Sequence, residues 1–123
     1  MNLVERRQFP RVEIDYVTVE VYITGAHSSA TEVEEICPVL NLSETGMKFG
    51  AEQSFTNAQL LKLTFVLPDS MVVIRTNATI IHISQPKGSN IQEIGVQFKS
   101  LGLAERKLIS HFIDKKISEK NPN

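Results

Sequence analysis

At 123 residues and 41% hydrophobic content, the chain fits a single domain with one core and is too short for two. Thirteen basic against fourteen acidic side chains leave a net charge of -1, which excludes bulk attraction to long nucleic acid or acidic membranes as the main activity, so any anion site must be local. A single cysteine, Cys37, excludes an internal disulfide and a thiolate-rich metal cluster, and makes the reducing cytoplasm the simplest expectation.

Met1 to Arg11 is polar and arginine-rich with Pro10 near its end, and reads as a mobile arm whose order depends on a ligand. Arg6, Arg7 and Arg11 are three of the chain's five arginines, and no lysine precedes Lys48. Positive charge in this region is therefore carried by planar guanidiniums, which pair with phosphates and guanine edges and stack on bases. From Val12 the apolar residues alternate as Val12, Ile14 and Tyr16, then change parity to Val17, Val19, Val21 and Ile23. One extra residue produces such a change, which predicts a bulge near Tyr16-Val17.

Gly25 to Thr31 has the composition of a connection, and a second strand is expected over Glu35 to Ser43. Strand alternation would put Ile36, Leu40 and Leu42 on one face and Val39, Asn41 and Ser43 on the other, so that burying the leucines presents Asn41 and Ser43 together, outward. Gly46 is expected to turn the chain with a positive φ, after which Met47 and Phe49 begin a short strand. Leu61, Leu63, Phe65 and Leu67 mark another strand; Pro68-Asp69-Ser70 is a turn; Met71 to Ser84, rich in β-branched residues, is a long strand. Pro86 to Asn90 turns the chain again, and Ile94, Val96 and Phe98 supply the last strand, with Gly95 on its opposite face.

After Gly102 the period changes: Leu108, Ile109, Phe112, Ile113 and Ile117 form one apolar stripe at helical spacing. Asn121-Pro122-Asn123 closes the chain as a frayed tail. The expected fold is mainly β, a small six-stranded antiparallel barrel with a C-terminal α-helix over its open end or flank. An arm over residues 1–11, a barrel and helix over 12–118 and a disordered tail over 119–123 describe the expected organisation.

Two short elements carry the candidate chemistry. In Arg7-Gln8-Phe9-Pro10-Arg11 the arginines are four apart, a spacing that projects both from similar sides of an extended arm, while Pro10 stiffens the interval and restricts Phe9 to extended angles. Two guanidiniums can then converge on one ligand, although an isolated pair of this kind is more often a solvated charge run. In Asn41-Leu42-Ser43-Glu44-Thr45-Gly46, Asn41 offers an amide that donates and accepts, Ser43 a hydroxyl, and Gly46 a place for close backbone approach. Asn, Ser and Gly also favour ordinary turns, and a match of this form arises by chance in on the order of one in twenty chains this long, so the information lies in its following an arginine pair.

With these residues in place the chain resembles the PilZ domain, a family that binds the bacterial second messenger cyclic di-GMP. Its motifs, Arg-x-x-x-Arg on an N-terminal arm and Asp/Asn-x-Ser-x-x-Gly on a barrel strand, are matched by Arg7 and Arg11 and by Asn41, Ser43 and Gly46. Ile94-Gly95-Val96-Gln97-Phe98 resembles the family's late strand, and the resemblance extends over nearly the whole chain, helix included. It implies a split-barrel receptor without catalytic activity, in which Arg7 and Arg11 clamp guanine and neutralise phosphate, Asn41 and Ser43 hydrogen-bond from the barrel surface, and Gly46 leaves room for ligand. Arg6, directly before the motif, holds the position that in this family influences whether one nucleotide or an intercalated pair is bound, and a third guanidinium there favours two. The implied behaviour is a stand-alone receptor whose arm changes conformation on binding and so alters its contact with an unidentified protein partner.

Other readings have less support. A protein-interaction adaptor of the same fold without nucleotide affinity would not need the intact arginine and Asn/Ser/Gly elements. A single-stranded DNA or RNA barrel requires stacking aromatics along a basic groove, and the six Phe and two Tyr fall mostly at core parity. His27, His82 and His111 lack a ligand partner at metal spacing, Ser43 is not in a Gly-x-Ser-x-Gly elbow, Cys37 lies among strand residues, and Glu32, Glu34 and Glu35 read as a solvated edge. An enzyme is therefore not expected, nor is a metal or other cofactor. No apolar run approaches the roughly 20 residues that span a bilayer, so membrane insertion is not expected either.

Overall fold

Period-two alternation of β-branched and leucine residues draws the chain into one antiparallel sheet that closes on itself, in a computed structural model that describes residues 10–14, 16–23, 35–52 and 54–120. In chain order the elements are β1 (Arg11–Glu13), β2 (Thr18–Ile23), β3 (Glu35–Ser43), β4 (Gly46–Ala51), β5 (Leu60–Leu67), β6 (Val72–Ser84), β7 (Gln92–Phe98) and α1 (Leu103–Lys120). Strands pair in the order β3-β2-β5-β6-β7-β4, and β4 returns to β3 to complete a six-stranded barrel; β1 joins β3 outside this ring. Closure removes the open edges that an equally long flat sheet would present for aggregation.

Inward residues fill the barrel. Leu61, Leu63, Phe65 and Leu67 of β5 are all buried, and they meet Val19 and Val21 from β2, Ile74 and Ile80 from β6, and Ile94 from β7. Full burial of each such side chain contributes about 1.5–3 kcal/mol. Phe49 of β4 sits edge-on to Phe55, centroids 6.3 Å apart, and so seals the barrel between β4 and the β4–β5 connection. Helix α1 buries Ile109, Phe112 and Ile113, packs against β1 and β3, and keeps the opposite face in solvent. It begins immediately after Gly102, with the Glu105 carboxylate folded back over that glycine, where negative charge complements the positive end of the helix dipole.

Register explains where the structure departs from simple alternation. The run from Val12 to Ile23 is two strands, giving seven among the described residues. Ile14 N donates to Leu40 O at 3.1 Å, whereas Val39 N donates to Val17 O at 2.9 Å, so adjacent residues of β3 bond to residues three apart on the β1–β2 run. The expected one-residue bulge is thus a larger break in register between Ile14 and Val17, and Tyr16, expected on the Val12 and Ile14 face, is 53% exposed. In β3 the register against β4 shifts between Val39 and Asn41, which makes Leu40 the extra residue. Cys37 and Val39 point inward before this bulge and Leu42 after it, while Ile36 is 61% exposed, contrary to the alternation of Ile36 with Leu40 and Leu42. A second bulge in β6, between Ile80 and His82, leaves Ile81 outside. Such bulges bend long strands around a small barrel.

The turns follow their chemistry. Gly88 carries the Pro86 to Asn90 turn at φ +81°, a conformation that side chains disfavour. Gly46 does not have the positive φ expected of it; Gly88 is the only positive-φ glycine among the described residues. The expected arm up to Phe9, the Gly25 to Thr31 connection and the Asn121-Pro122-Asn123 tail lie outside the described residues. Among those residues, no helix is long and apolar enough to cross a membrane.

The β3 register makes a sharp stability contrast. Leu63→Ala is expected to lose about 2–5 kcal/mol and Ile36→Ala no more than about 0.5 kcal/mol. Urea unfolding midpoints compare the two directly, and a large loss at Ile36 would contradict the bulge at Leu40.

Candidate functional site

Strand pairing brings the two sequence elements together. On the β1–β3 ladder Arg11 lies opposite Ser43, Val12 opposite Leu42 and Glu13 opposite Asn41. Val12 is buried, so Arg11 and Glu13 share the outward face of β1, and both are exposed. The second arginine of the pair therefore stands beside the Asn41 to Gly46 element. Arg6 and Arg7 lie outside the described residues.

The three residues of that element have different local roles. Ser43 is 3% exposed rather than outward. Its Oγ accepts hydrogen bonds from Gly46 N at 3.2 Å and Thr45 N at 3.3 Å, and donates to Gly46 O at 3.3 Å, so the hydroxyl closes the β3–β4 turn. Gly46 is buried where β4 crosses β7: a Cβ would strike the backbone carbonyl of Val96. The space that glycine provides is thus taken by a neighbouring strand. Thr45 O accepts from Phe98 N at 2.9 Å, and Glu44 meets Arg106 of α1 at 3.2 Å, which ties the turn to both β7 and the helix.

Asn41 is different. Its Oδ1 is withdrawn from solvent and has no hydrogen-bond partner among the described residues, a condition that costs roughly 1–3 kcal/mol. The side chain borders a groove of about 640 Å³, shared by β1 and the β1–β2 break (Glu13, Ile14, Tyr16), β3 and β4 (Leu40, Asn41, Lys48), Glu93 of β7, and Lys116 and Glu119 of α1. Lys48 pairs with Glu93 at 3.7 Å and Lys116 with Glu119 at 3.4 Å. Lys116 also sits 5.0 Å from the Tyr16 ring centroid. A hydrogen bond from Lys116 to the Tyr16 hydroxyl raises the lysine pKa, and Glu119 adds to the effect against partial desolvation. An open groove with charged walls, an aromatic ring and an unsatisfied amide oxygen is suited to holding a polar planar ligand.

The sequence reading missed Glu13, Tyr16, Lys48, Glu93, Lys116 and Glu119 as neighbours of Asn41. Only the parity change at Tyr16-Val17 hinted at one of them; the others come from separate elements with no common spacing. His82 is exposed on β6 and His111 on α1, and no group of three or more His, Cys, Asp or Glu able to hold a metal occurs among the described residues. Burial pushes the Cys37 thiol up to about 12, with the Glu35 carboxylate adding to the shift.

Comparisons with known proteins identify the family and the fold. The PilZ domain family model matches residues 5–115. Among solved structures, the K. pneumonia MrkH complex with c-di-GMP aligns at TM-score 0.74 and 16% identity, covering 95% of this chain and 55% of that one. The Bacillus subtilis inhibitor of motility MotI/DgrA aligns at TM-score 0.72 and 17% identity, covering 92% and 52%. The PilZ domain of YcgR from Escherichia coli with c-di-GMP aligns at TM-score 0.67 and 14% identity, covering 96% and 98%. Identities this low show a shared fold, and the chain spans about half the length of the MrkH and MotI/DgrA structures. No curated protein matches the chain.

Two outcomes follow from the local roles. Gly46→Ala should cost about 1–3 kcal/mol by overpacking against β7, and Ser43→Ala about 1 kcal/mol through the lost turn bonds, both read from urea unfolding without ligand. Unchanged stability in both would mean that neither residue supports the turn. Because a thiol with a pKa of about 12 stays protonated at pH 8, Cys37 should resist a disulfide-exchange reagent in the native protein and react fully once urea unfolds it.

Proposed function

Because the chain belongs to the PilZ domain family, we propose that it is a cytoplasmic, non-catalytic receptor for cyclic di-GMP. The observation that carries this reading is the β1–β3 register, which sets Arg11 opposite Ser43, two residues along β3 from Asn41, while Asn41 borders an open groove with its Oδ1 lacking a partner among the described residues. A guanine presents N–H donors that an amide oxygen accepts, together with the O6 and N7 acceptors that a guanidinium engages in a bidentate manner. Arg7, four residues before Arg11, supplies a second cation for the phosphates, and Arg6 a guanidinium to stack against an intercalated second nucleotide.

In this reading Asn41 is the barrel's direct contact, whereas Ser43 and Gly46 serve the ligand by fixing the β3–β4 turn. Binding draws the residues before Pro10 onto the barrel and thereby changes the surface offered to a protein partner. The energy of that change comes from contacts made only in the bound form, chiefly the charge-assisted bonds of Arg7 and Arg11.

Isothermal titration with cyclic di-GMP tests the proposal. Arg7→Ala and Arg11→Ala should each weaken binding about ten- to hundredfold, since one lost charge-assisted bond is worth roughly 1.5–3 kcal/mol. Asn41→Ala should weaken it about tenfold. Circular dichroism of the arginine variants should match the unmodified protein, and a folded protein that gives no heat at high micromolar ligand would sink the receptor reading.

A further inference from the structure

The strongest unassigned feature is a carboxylate in the wrong place for an anion site. Glu13 follows Arg11 by two residues on the exposed face of β1, lies directly opposite Asn41, and shares the 640 Å³ groove with it. Opposed residues of an antiparallel pair hold their Cβ atoms about 4.5–5.5 Å apart, so both side chains can reach one planar group. The other two carboxylates of the groove are each paired, Glu93 with Lys48 and Glu119 with Lys116. No cation among the described residues lies within ion-pair distance of Glu13.

A phosphate placed there would meet a like charge, which disfavours it. A guanine base would not. Its Watson–Crick edge offers N1–H and N2–H as adjacent donors, and an ionised carboxylate is an acceptor with two oxygens. Adenine places an acceptor, N1, where guanine has a donor, and would leave the carboxylate facing a lone pair. A site built to receive specific donors rejects the analogue that lacks them, because its own polar groups then go unpaired.

We propose that Glu13 is a guanine-selectivity residue: its carboxylate accepts N1–H and one N2–H of a base seated in the groove, while Asn41 Oδ1 accepts the other N2–H and Arg11 engages the acceptor edge or the phosphate. The inference rests on the receptor reading above and adds to it which part of the ligand the groove takes. The two outward residues of β1 then divide the ligand, with Glu13 reading the donor edge of the base and Arg11 its acceptor edge or the phosphate.

The test compares the full chain with Glu13→Gln by titration against cyclic di-GMP and cyclic di-AMP in one buffer. The expected result is cyclic di-GMP affinity about ten- to hundredfold weaker in the variant, little change for cyclic di-AMP, and hence a collapsed preference for guanine. The sign separates this role from simple electrostatics: if Glu13 only sat near a phosphate, removing its charge would leave binding unchanged or tighten it. Unchanged or tighter cyclic di-GMP binding by Glu13→Gln therefore overturns the inference and leaves the receptor reading intact, whereas a parent protein that binds no cyclic di-GMP overturns both. Since Glu13 is exposed, the urea midpoint of the variant should equal the parent's, which keeps a folding defect from imitating the expected loss.

Discussion

Strand β3 must be paired along both edges, and most of the structure depends on how that constraint is met. One edge carries β1 and then β2, and the other carries β4, which closes the ring. A strand paired on both sides cannot curve tightly and keep strict alternation, so the register shifts once at Leu40 against β4 and breaks after Ile14 against the β1–β2 run. Those two irregularities lie almost opposite each other, Ile14 bonding to Leu40 itself. The groove opens where they meet, because neither backbone fills the space that regular pairing would have occupied.

Placement of the site follows from this bend. Asn41 comes immediately after the bulge and Tyr16 from within the break, so both are turned toward the groove by departures from the ladder. The same bend lets Leu42 return to the core next to a turn fastened by the Ser43 hydroxyl. Fixed turn, exposed arginine and unsatisfied amide are therefore products of one local distortion.

How much of this is legible in the amino acids varies with the range of the interaction that decides it. The β5 alternation and the α1 stripe are read correctly because local period alone sorts those residues into faces. Assignment of β3 to Glu35 to Ser43 is also correct, but the inward identity of Cys37 and Val39 instead of Ile36 requires knowing that Leu40 is bulged by β4, a distant partner. Gly46 is recognisable as a special position, yet its reason is Val96 in β7 and not its own φ. Arg11 and Asn41 were connected through a resemblance between motifs; Lys48, Glu93, Lys116 and Glu119 come from three elements and share no pattern that a linear reading could detect.

The position of β1 outside the closed ring has a mechanical consequence. This strand of three residues is held by β3 and by contact with α1, and the break in register after Ile14 separates it from the hydrogen-bonded continuity of β2. Opening it breaks no ladder of the barrel, so its local free energy of opening can fall well below that of global unfolding. A molecule bound across β1 and β3 would raise that local value by mass action without stiffening the barrel. The fold thus keeps a small unit of low cooperativity joined to a rigid one, and places the outward residues of β1 on the part whose order can change.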